Sequence, residues 1–291
     1  MEVHLAVDLH THSTASDGTF APGMIPEAAA AANLTAVALT DHDTVSGLPD
    51  FLARQKDFPD IELISGVELS SRSGARELHI VGLFIQPEHP ALQKHLEAMR
   101  NERLQRAEAM QQKLQSIGYS VSWDDLLESG MQDVPGRPHF AQVLVKKYNF
   151  PDTRSVFEQL LKRGCAGYVP RNLPEPAEAI NVIKAAGGIA VWAHLFNSHR
   201  NENNAIKRLL LELKNAGLDA IEAYYSEYTP TKTQTALRLA KELNLACSGG
   251  SDFHGELHKD IRLGSGHGDL LVPDEIIAQL KQRLTPKVVL V

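Results

Sequence analysis

Residues 5–13 read LAVDLHTHS, and the reading of this stretch governs the rest of the chain. Leu5, Ala6 and Val7 form an apolar run of strand character that passes through Asp8 into His10 and His12. In an extended strand, residues two apart point to the same face, so the two imidazoles converge on one point, a common way to hold a divalent metal. A single H-x-H at a strand end fits packed or surface histidines just as well. Recurrence along the chain decides between them.

Short apolar runs of the same kind lie at Leu5–Asp8, Ala36–Thr40, Glu62–Val67, Leu78–Phe84, Ile189–Ala193, Ala220–Ala223 and Ala246–Ser248. Helical patterns separate them at Pro22–Ala32, Ala177–Ala186, Ala205–Ala216 and Thr231–Leu243, with Gly187–Gly188 and Gly217 as C-cap glycines. Strands that alternate with helices predict βαβ units and a parallel sheet, and this number of strands suits a barrel.

The run ends repeat the chemistry of the first. Asp41, His42 and Asp43 follow the second strand and Glu68 follows the third. His194 ends the fifth, and Asp252 with His254 ends the seventh, while Asp17 lies in the loop after the first. In an α/β barrel the C-terminal strand ends form the active face. His79 is the awkward member, because it stands at the start of its strand. Either that boundary is off by two or three residues or the fourth strand runs the other way. Asp8, Asp41 and Asp43 read as loop-ordering groups rather than ligands.

Three carboxylates (Asp17, Glu68, Asp252) and six imidazoles (His10, His12, His42, His79, His194, His254) are too many for one ion. Nitrogen and oxygen donors without sulfur suit Mn²⁺, Zn²⁺, Fe²⁺ or Co²⁺. Two or three ions sharing Glu68 would use the set economically and leave a positive pocket. Such clusters lower the pKa of a bound water and stabilise both oxygens of an in-line phosphoryl displacement. A structural metal, by contrast, is closed by four ligands and favours cysteine. Only Cys165 and Cys247 are present, so no disulfide framework or cysteine-rich site can be assembled.

The chain has 291 residues, 43% hydrophobic and 22% charged, enough to bury a sizeable core and inconsistent with a disordered or fibrous class. A net charge of −7 argues against broad electrostatic binding of duplex nucleic acid but leaves an anionic small substrate open. The N-terminus lacks the basic region of a signal peptide and no apolar run is long enough to span a membrane, so a reducing cytoplasmic setting is expected.

Residues 86–171 break the βα rhythm. A long charged helix pattern (Ala91–Ile117), an acidic stretch and a Pro/Gly turn at Val134–Pro138 are followed by helical patterns at Phe140–Lys147 and Arg154–Lys162. The expected organisation is a barrel formed by 1–85 and 172–291, with 86–171 as a helical insertion capping the active site.

DLHTHS, TDHD, GVE, AH and SDFH, in that order, resemble the motifs of the polymerase-and-histidinol-phosphatase (PHP) family over about 1–85 and 188–270. The resemblance implies an α/β fold, a distorted (β/α)7 barrel holding two or three divalent ions, Mn²⁺ foremost, and phosphoesterase activity. It implies His10, His12, Glu68 and Asp252 around one ion, Glu68, His79 and His194 around a second, and Asp17, His42 and His254 around a third. Asp17, His42 and His254 would also orient the phosphate for a water activated by the ions. No position departs from the pattern.

Within the family, the length and the insertion resemble the branch that converts 3′,5′-nucleoside bisphosphates to 5′-nucleotides and trims short single-stranded RNA from the 5′ end. Histidinol-phosphate phosphatase is the alternative. Arg100 and Arg103 on one helix face, with Arg137 and His139 in the turn, are the candidates for gripping a second phosphate. Arg106 continues that face, although interleaved glutamates also fit a solvated surface. Two rivals stand outside phosphatase chemistry: a non-catalytic metal-binding module and a metal-dependent amidohydrolase. No membrane and no obligate protein partner are expected. Trp192 and Cys247 read as packed, and His4, His89, His95, His199, His258 and His267 as surface residues.

Overall fold

The computed structural model describes residues 6–129, 134–198 and 203–284. In chain order the elements are β1 (Ala6–Asp8), α1 (Ile25–Ala31), β2 (Leu34–Leu39), α2 (Leu48–Ala53), β3 (Glu62–Ser73), β4 (Arg76–Leu83) and α3 (Pro90–Ser116). There follow α4 (Trp123–Glu128), α5 (Arg137–Tyr148), α6 (Thr153–Val156), α7 (Pro176–Ala185), β5 (Ile189–Trp192), α8 (Leu195–Ser198), α9 (Asn203–Asn215), β6 (Ala220–Tyr225), α10 (Pro230–Leu243), β7 (Ala246–Gly250) and α11 (Glu275–Lys281). They form two compact units: His95–Leu173 is one, and the chain on either side of it is the other.

The larger unit is a seven-stranded sheet in the simple order β1 to β7. Beyond the strand ends, Leu9 N donates to Gly249 O (3.0 Å) and His12 N to Phe253 O (2.9 Å), which brings the last strand back against the first. The sheet is therefore a nearly closed barrel. Alternate residues such as Val7 and Leu9, Ala36 and Ala38, Val81 and Leu83 share one buried cluster with Ile276, Ile277 and Leu280 of α11. Period-two burial of this kind sends the intervening residues, among them His10 and His12, to the opposite face.

The expectation of a wholly parallel sheet needs correction. β4 is antiparallel to both β3 and β5. β3 runs on past Glu68 to Ser73 and returns through a tight turn in which Gly74 has φ +58°. A two-residue hairpin needs that left-handed conformation, which glycine adopts without steric penalty. Residues 69–73 and 76–77 are thus strand on either side of the turn at 74–75, and the fourth strand does run the other way. Its early residues reach the same end of the barrel as the C-terminal ends of the strands on either side.

The smaller unit has a core of its own. Ala107, Met110 and Leu114 of α3 pack with Leu126 of α4, Phe140 and Leu144 of α5, and Leu160 and Leu161. The acidic stretch forms α4, started by a reciprocal Ser122–Asp125 capping box. Arg137, Pro138 and His139 are not in a turn but form the first turn of α5, where proline is pre-organised for the helix. His95 is also not a surface residue, being buried. His89, His258 and His267 are at least partly exposed, and His4 and His199 lie outside the described residues.

Candidate metal centre

Backbone pairing places the donors. Thr11 bridges to Phe253 in parallel register, so His10 and His12 of one strand end meet Asp252 and His254 of the other. His42 is likewise bridged in parallel to Glu68, three residues beyond the last β2–β3 pair, Leu39 with Ser65. Glu68 and His79 come together because β3 and β4 are antiparallel neighbours, with Glu68 opposite Val81 and Ser70 opposite His79.

The loops are tied down by three aspartates acting alike. Asp8 accepts from Ser251 N (2.9 Å) and Ser251 Oγ (2.6 Å), Asp41 from Ser13 N (2.8 Å) and Ser13 Oγ (2.7 Å). Asp43 accepts from Ser70 N (2.8 Å) and Ser70 Oγ (2.9 Å). Each carboxylate thereby takes both donors of one serine, satisfying buried polar groups that would otherwise cost free energy. His194, Asp252 and Asp43 have positive φ values of 32°, 58° and 51°, a conformation non-glycine residues keep only where the surroundings hold it. Gly250 permits a close approach, since a Cβ there would overlap the backbone N and Cβ of His10.

Glu68, fully buried, is the hub. Its Oε1 lies 2.9 Å from His79 Nδ1 and 3.0 Å from His194 Nε2. Its Oε2 lies 2.9 Å from His42 Nδ1 and 3.3 Å from both His10 Nε2 and His12 Nε2. Asp252 Oδ1 stands 3.1 Å from His12 Nε2 and 3.4 Å from His10 Nε2. Asp17 Oδ1 is 3.3 Å from His254 Nε2, and Asp17 Oδ2 is 3.8 Å from His42 Nε2. His254 Nδ1 donates to the Asp252 carbonyl (2.8 Å), which leaves Nε2 facing Asp17.

All nine ligand candidates read from the sequence therefore meet in one cluster. Donor atoms lie within 4.8 Å of one another in three groups: His10, His12, Glu68 and Asp252; His42, Glu68 and His79; and His12, Asp17, His42 and His254. The first group is the one expected. In the second, His42 stands where His194 was expected, and His194 belongs to none of the three groups although its Nε2 contacts Glu68 Oε1; in the third, His12 joins Asp17, His42 and His254.

The donor set can be tested for fit to divalent ions. His10 Nε2, both His12 nitrogens and Glu68 Oε2 are buried and make no hydrogen bond, an arrangement proteins rarely leave in place. Two ligands about 2.1 Å from an ion and at right angles stand about 3 Å apart. The 3.1–3.4 Å separations around Glu68 and Asp252 match that spacing. The residues fit.

Without ions the cluster is held by its own charges. Burial pushes the Glu68 carboxyl upward, but His42, His10 and His79 outweigh it and hold it well below the usual range. Burial opposes protonation of His12, yet Asp252 and Glu68 raise it to about 9. His79 is raised to about 10 by Glu68 and Glu77 against the same opposition. His42 is lowered, first by burial and then by the charge of His12.

The cluster opens into a cleft of about 420 Å³ lined by His42, His79, His194 and Asp252 together with Leu78, Trp192 and Tyr225. Trp192 is packed, as expected, while also lining this cleft. The arginine candidates belong to the smaller unit. Arg100 is exposed and Arg103 half-buried on α3, and the Arg137 guanidinium lies over the Phe157 ring at 5.7 Å. His139 Nδ1 accepts from Gly136 N at 3.0 Å. Arg106 donates Nε to the Val169 carbonyl (2.9 Å), a structural contact.

Sequence reasoning missed Glu222 and Tyr225 of β6. Glu222 is buried and accepts from His10 Nδ1 (2.8 Å) and His194 N (2.6 Å), and Tyr225 donates to Asp252 Oδ2 (3.0 Å). A signal was present: a lone carboxylate in the apolar run Ala220-Ile221-Glu222-Ala223 is rare unless it has a buried partner.

Comparison with known proteins places this geometry among relatives. A family model described as PHP domain matches residues 8–221. A 3′,5′-nucleoside bisphosphate phosphatase of Chromobacterium violaceum is 35% identical over 270 residues, covering 92% of this chain and 93% of that protein. A 5′-3′ exoribonuclease of Haemophilus influenzae is 34% identical over 247 residues, covering 85% and 89%. Among solved structures, an amidohydrolase from Chromobacterium violaceum with bound sulfate and no metal superposes with TM-score 0.79 at 33% identity, covering 96% of this chain and 97% of the other.

Proposed function

The chain belongs to the PHP domain family, and from that premise we propose that it is a metal-dependent phosphatase releasing the 3′-phosphate of nucleoside 3′,5′-bisphosphates to leave 5′-nucleotides. Trimming of short single-stranded RNA from its 5′ end is the accompanying activity, by analogy with the exoribonuclease relative. The names of the relatives favour this over histidinol phosphate as substrate. The observation that carries the reading is the convergence of unbonded, buried His10, His12 and Glu68 donor atoms on common centres beside a cleft.

His10, His12, Glu68 and Asp252 hold one ion in this reading, Glu68, His79 and His194 a second with His42 in reach, and Asp17, His42 and His254 a third with His12 in reach. When bound, divalent ions, Mn²⁺ before Zn²⁺, Fe²⁺ or Co²⁺, supply Lewis-acid polarisation of the phosphoryl group and neutralise its charge. Glu222 adds a fourth carboxylate to Asp17, Glu68 and Asp252. Two divalent ions would balance those four carboxylates and three would leave the centre positive, which favours three for attracting a phosphate.

Asp17, His42 and His254 orient the phosphoryl group, while Trp192, Leu78 and Tyr225 contribute to the lining of the cleft. The second phosphate is assigned to the insertion, residues 86–171, acting as a cap through Arg137, Arg103, Arg100 and His139. Support for this comes from chemistry: a guanidinium fork binds phosphate oxygens bidentately. A nucleotide without a protein partner, in a reducing cytoplasm, completes the proposal. Both cysteines are free thiols, and no helix among the described residues is long and apolar enough to cross a membrane.

The test is product release from Mn²⁺-reconstituted protein offered adenosine 3′,5′-bisphosphate, histidinol phosphate, a short 5′-phosphorylated RNA, p-nitrophenyl phosphate and a simple amide. Preference for the bisphosphate, leaving the 5′-monophosphate, is expected. Turnover confined to the amide would instead favour the chemistry named for the similar solved structure, and preference for histidinol phosphate would overturn the role of the insertion.

A further inference from the structure

Strand β6 carries Glu222 and Tyr225 three residues apart, a spacing that in a regular strand would send them to opposite faces. The pairing of β6 with β7 has a register irregularity between Glu222 and Tyr224. A bulge of this kind resets the alternation and re-aims the side chains that follow. Both residues consequently reach the metal centre: Glu222 contacts His10 and the His194 backbone, and Tyr225 contacts Asp252.

We propose that Glu222 and Tyr225, brought to one side by this bulge, are positioning residues of the metal centre, an inference that rests on the metal reading above. The Glu222 carboxylate can only accept, so Nδ1 of His10 carries a proton, and in the neutral ring that a metal needs, the remaining lone pair is on Nε2, toward Glu68 and Asp252. Its other oxygen holds the backbone N–H of His194 at 2.6 Å, fixing a residue whose φ of 32° needs support. One buried carboxylate thus orients a donor of the His10 group and the imidazole facing the opposite oxygen of Glu68.

Tyr225 performs the complementary task for Asp252. Its hydroxyl donates to Oδ2, leaving Oδ1 toward His10 and His12, and Asn197 Nδ2 in turn donates to the Tyr225 oxygen at 3.4 Å. Asp252 has φ +58° and only this tyrosine, among the hydrogen bonds of the described residues, selects which carboxylate oxygen turns inward.

The test compares wild type, Glu222→Gln and Tyr225→Phe by Mn²⁺ titration of chelator-stripped protein, and reads the His10 tautomer from ring ¹⁵N shifts of the metal-free proteins at alkaline pH, where the imidazole is neutral. Glu222→Gln keeps the shape of the side chain but loses the charge that fixes the Nδ1–H tautomer. It should weaken the tightest Mn²⁺ site about 10- to 100-fold and mix the two His10 tautomers. Tyr225→Phe should weaken Mn²⁺ binding by several-fold and leave the His10 tautomer unchanged.

Wild-type Mn²⁺ affinity and an unmixed tautomer in folded Glu222→Gln would overturn the proposal while leaving the metal reading intact. Absence of Mn²⁺ binding by the wild type would overturn both. Where Glu222→Gln does not fold, Tyr225→Phe decides: unchanged affinity in that variant overturns the proposal.

Discussion

Glu68 and His79 are diagonal neighbours across the antiparallel β3–β4 pair, with Glu68 Oε1 2.9 Å from His79 Nδ1. Only the reversed direction of β4 allows this, because a parallel β4 would carry its first residues to the opposite end of the barrel. Glu68 then serves imidazoles from β1, β2, β4 and β5 through its two oxygens.

That hub position predicts a severe, shared loss. Glu68→Ala should abolish stoichiometric metal binding and reduce turnover by at least about 10³-fold, since the carboxylate borders two donor groups at once. Metal analysis and phosphate release on the same preparation check this, and full turnover with bound metal would remove Glu68 from the centre.

The stability of metal-free protein should fall as the solution becomes alkaline. His12 and His79 rise from 6.5 to about 9 and about 10 in the folded state, so above neutrality the folded protein binds protons that the unfolded chain has released. The stability they contribute is fully present below about pH 6.5 and disappears as pH climbs through 9 to 10. His42, which is lowered, acts in the opposite sense, below its ordinary value only. Melting curves in chelator should show Tm declining over pH 7–10, and added Mn²⁺ should counter the decline by replacing the protons. A flat Tm in chelator would show that these imidazoles do not carry the charges assigned to them.

Arg137→Ala should raise KM for adenosine 3′,5′-bisphosphate by about 10-fold or more while changing KM for p-nitrophenyl phosphate little, because only the former has a second phosphate to lose a charge-assisted contact. Equal effects on the two substrates would place Arg137 outside substrate binding. Its partner in the structure, the Phe157 ring, would then give it a packing role.

Gly250→Ala tests the closeness of β7 to β1. The added methyl would meet His10 N and Cβ and Asp8 Oδ1, and these can move only by disturbing the β1–β7 closure or the hydrogen bonds of Asp8 to Ser251 and His10. A loss of about 1–3 kcal/mol is expected, as for overpacking in a tight core. Metal affinity should fall in parallel, because His10 is displaced. A variant with unchanged Tm and unchanged Mn²⁺ affinity would mean that the barrel closes more loosely than the structure indicates.

Much of the centre was legible because its signals are local. His10 and His12, or Asp252 and His254, declare themselves by two-residue spacing within one strand end, which the pleat converts directly into a shared direction. The loop-ordering role of Asp8, Asp41 and Asp43 was also readable, since short carboxylates beside turns take up backbone and serine donors. Arg137 was misplaced in a turn because its Pro/Gly surroundings are equally those of a helix start.

The sequence by itself determined which donors exist, their order along the repeat, and the α/β character of the fold, all of which depend on residue type and on periodicities a few residues long. Tertiary structure alone decided the direction of β4, the sharing of His12 and His42 between groups, and the entry of Glu222 and Tyr225 through a bulge in β6. Those features join residues as far apart as His10 and Glu222. They arise from closure of the barrel, where strand direction and register set distances that no local spacing encodes.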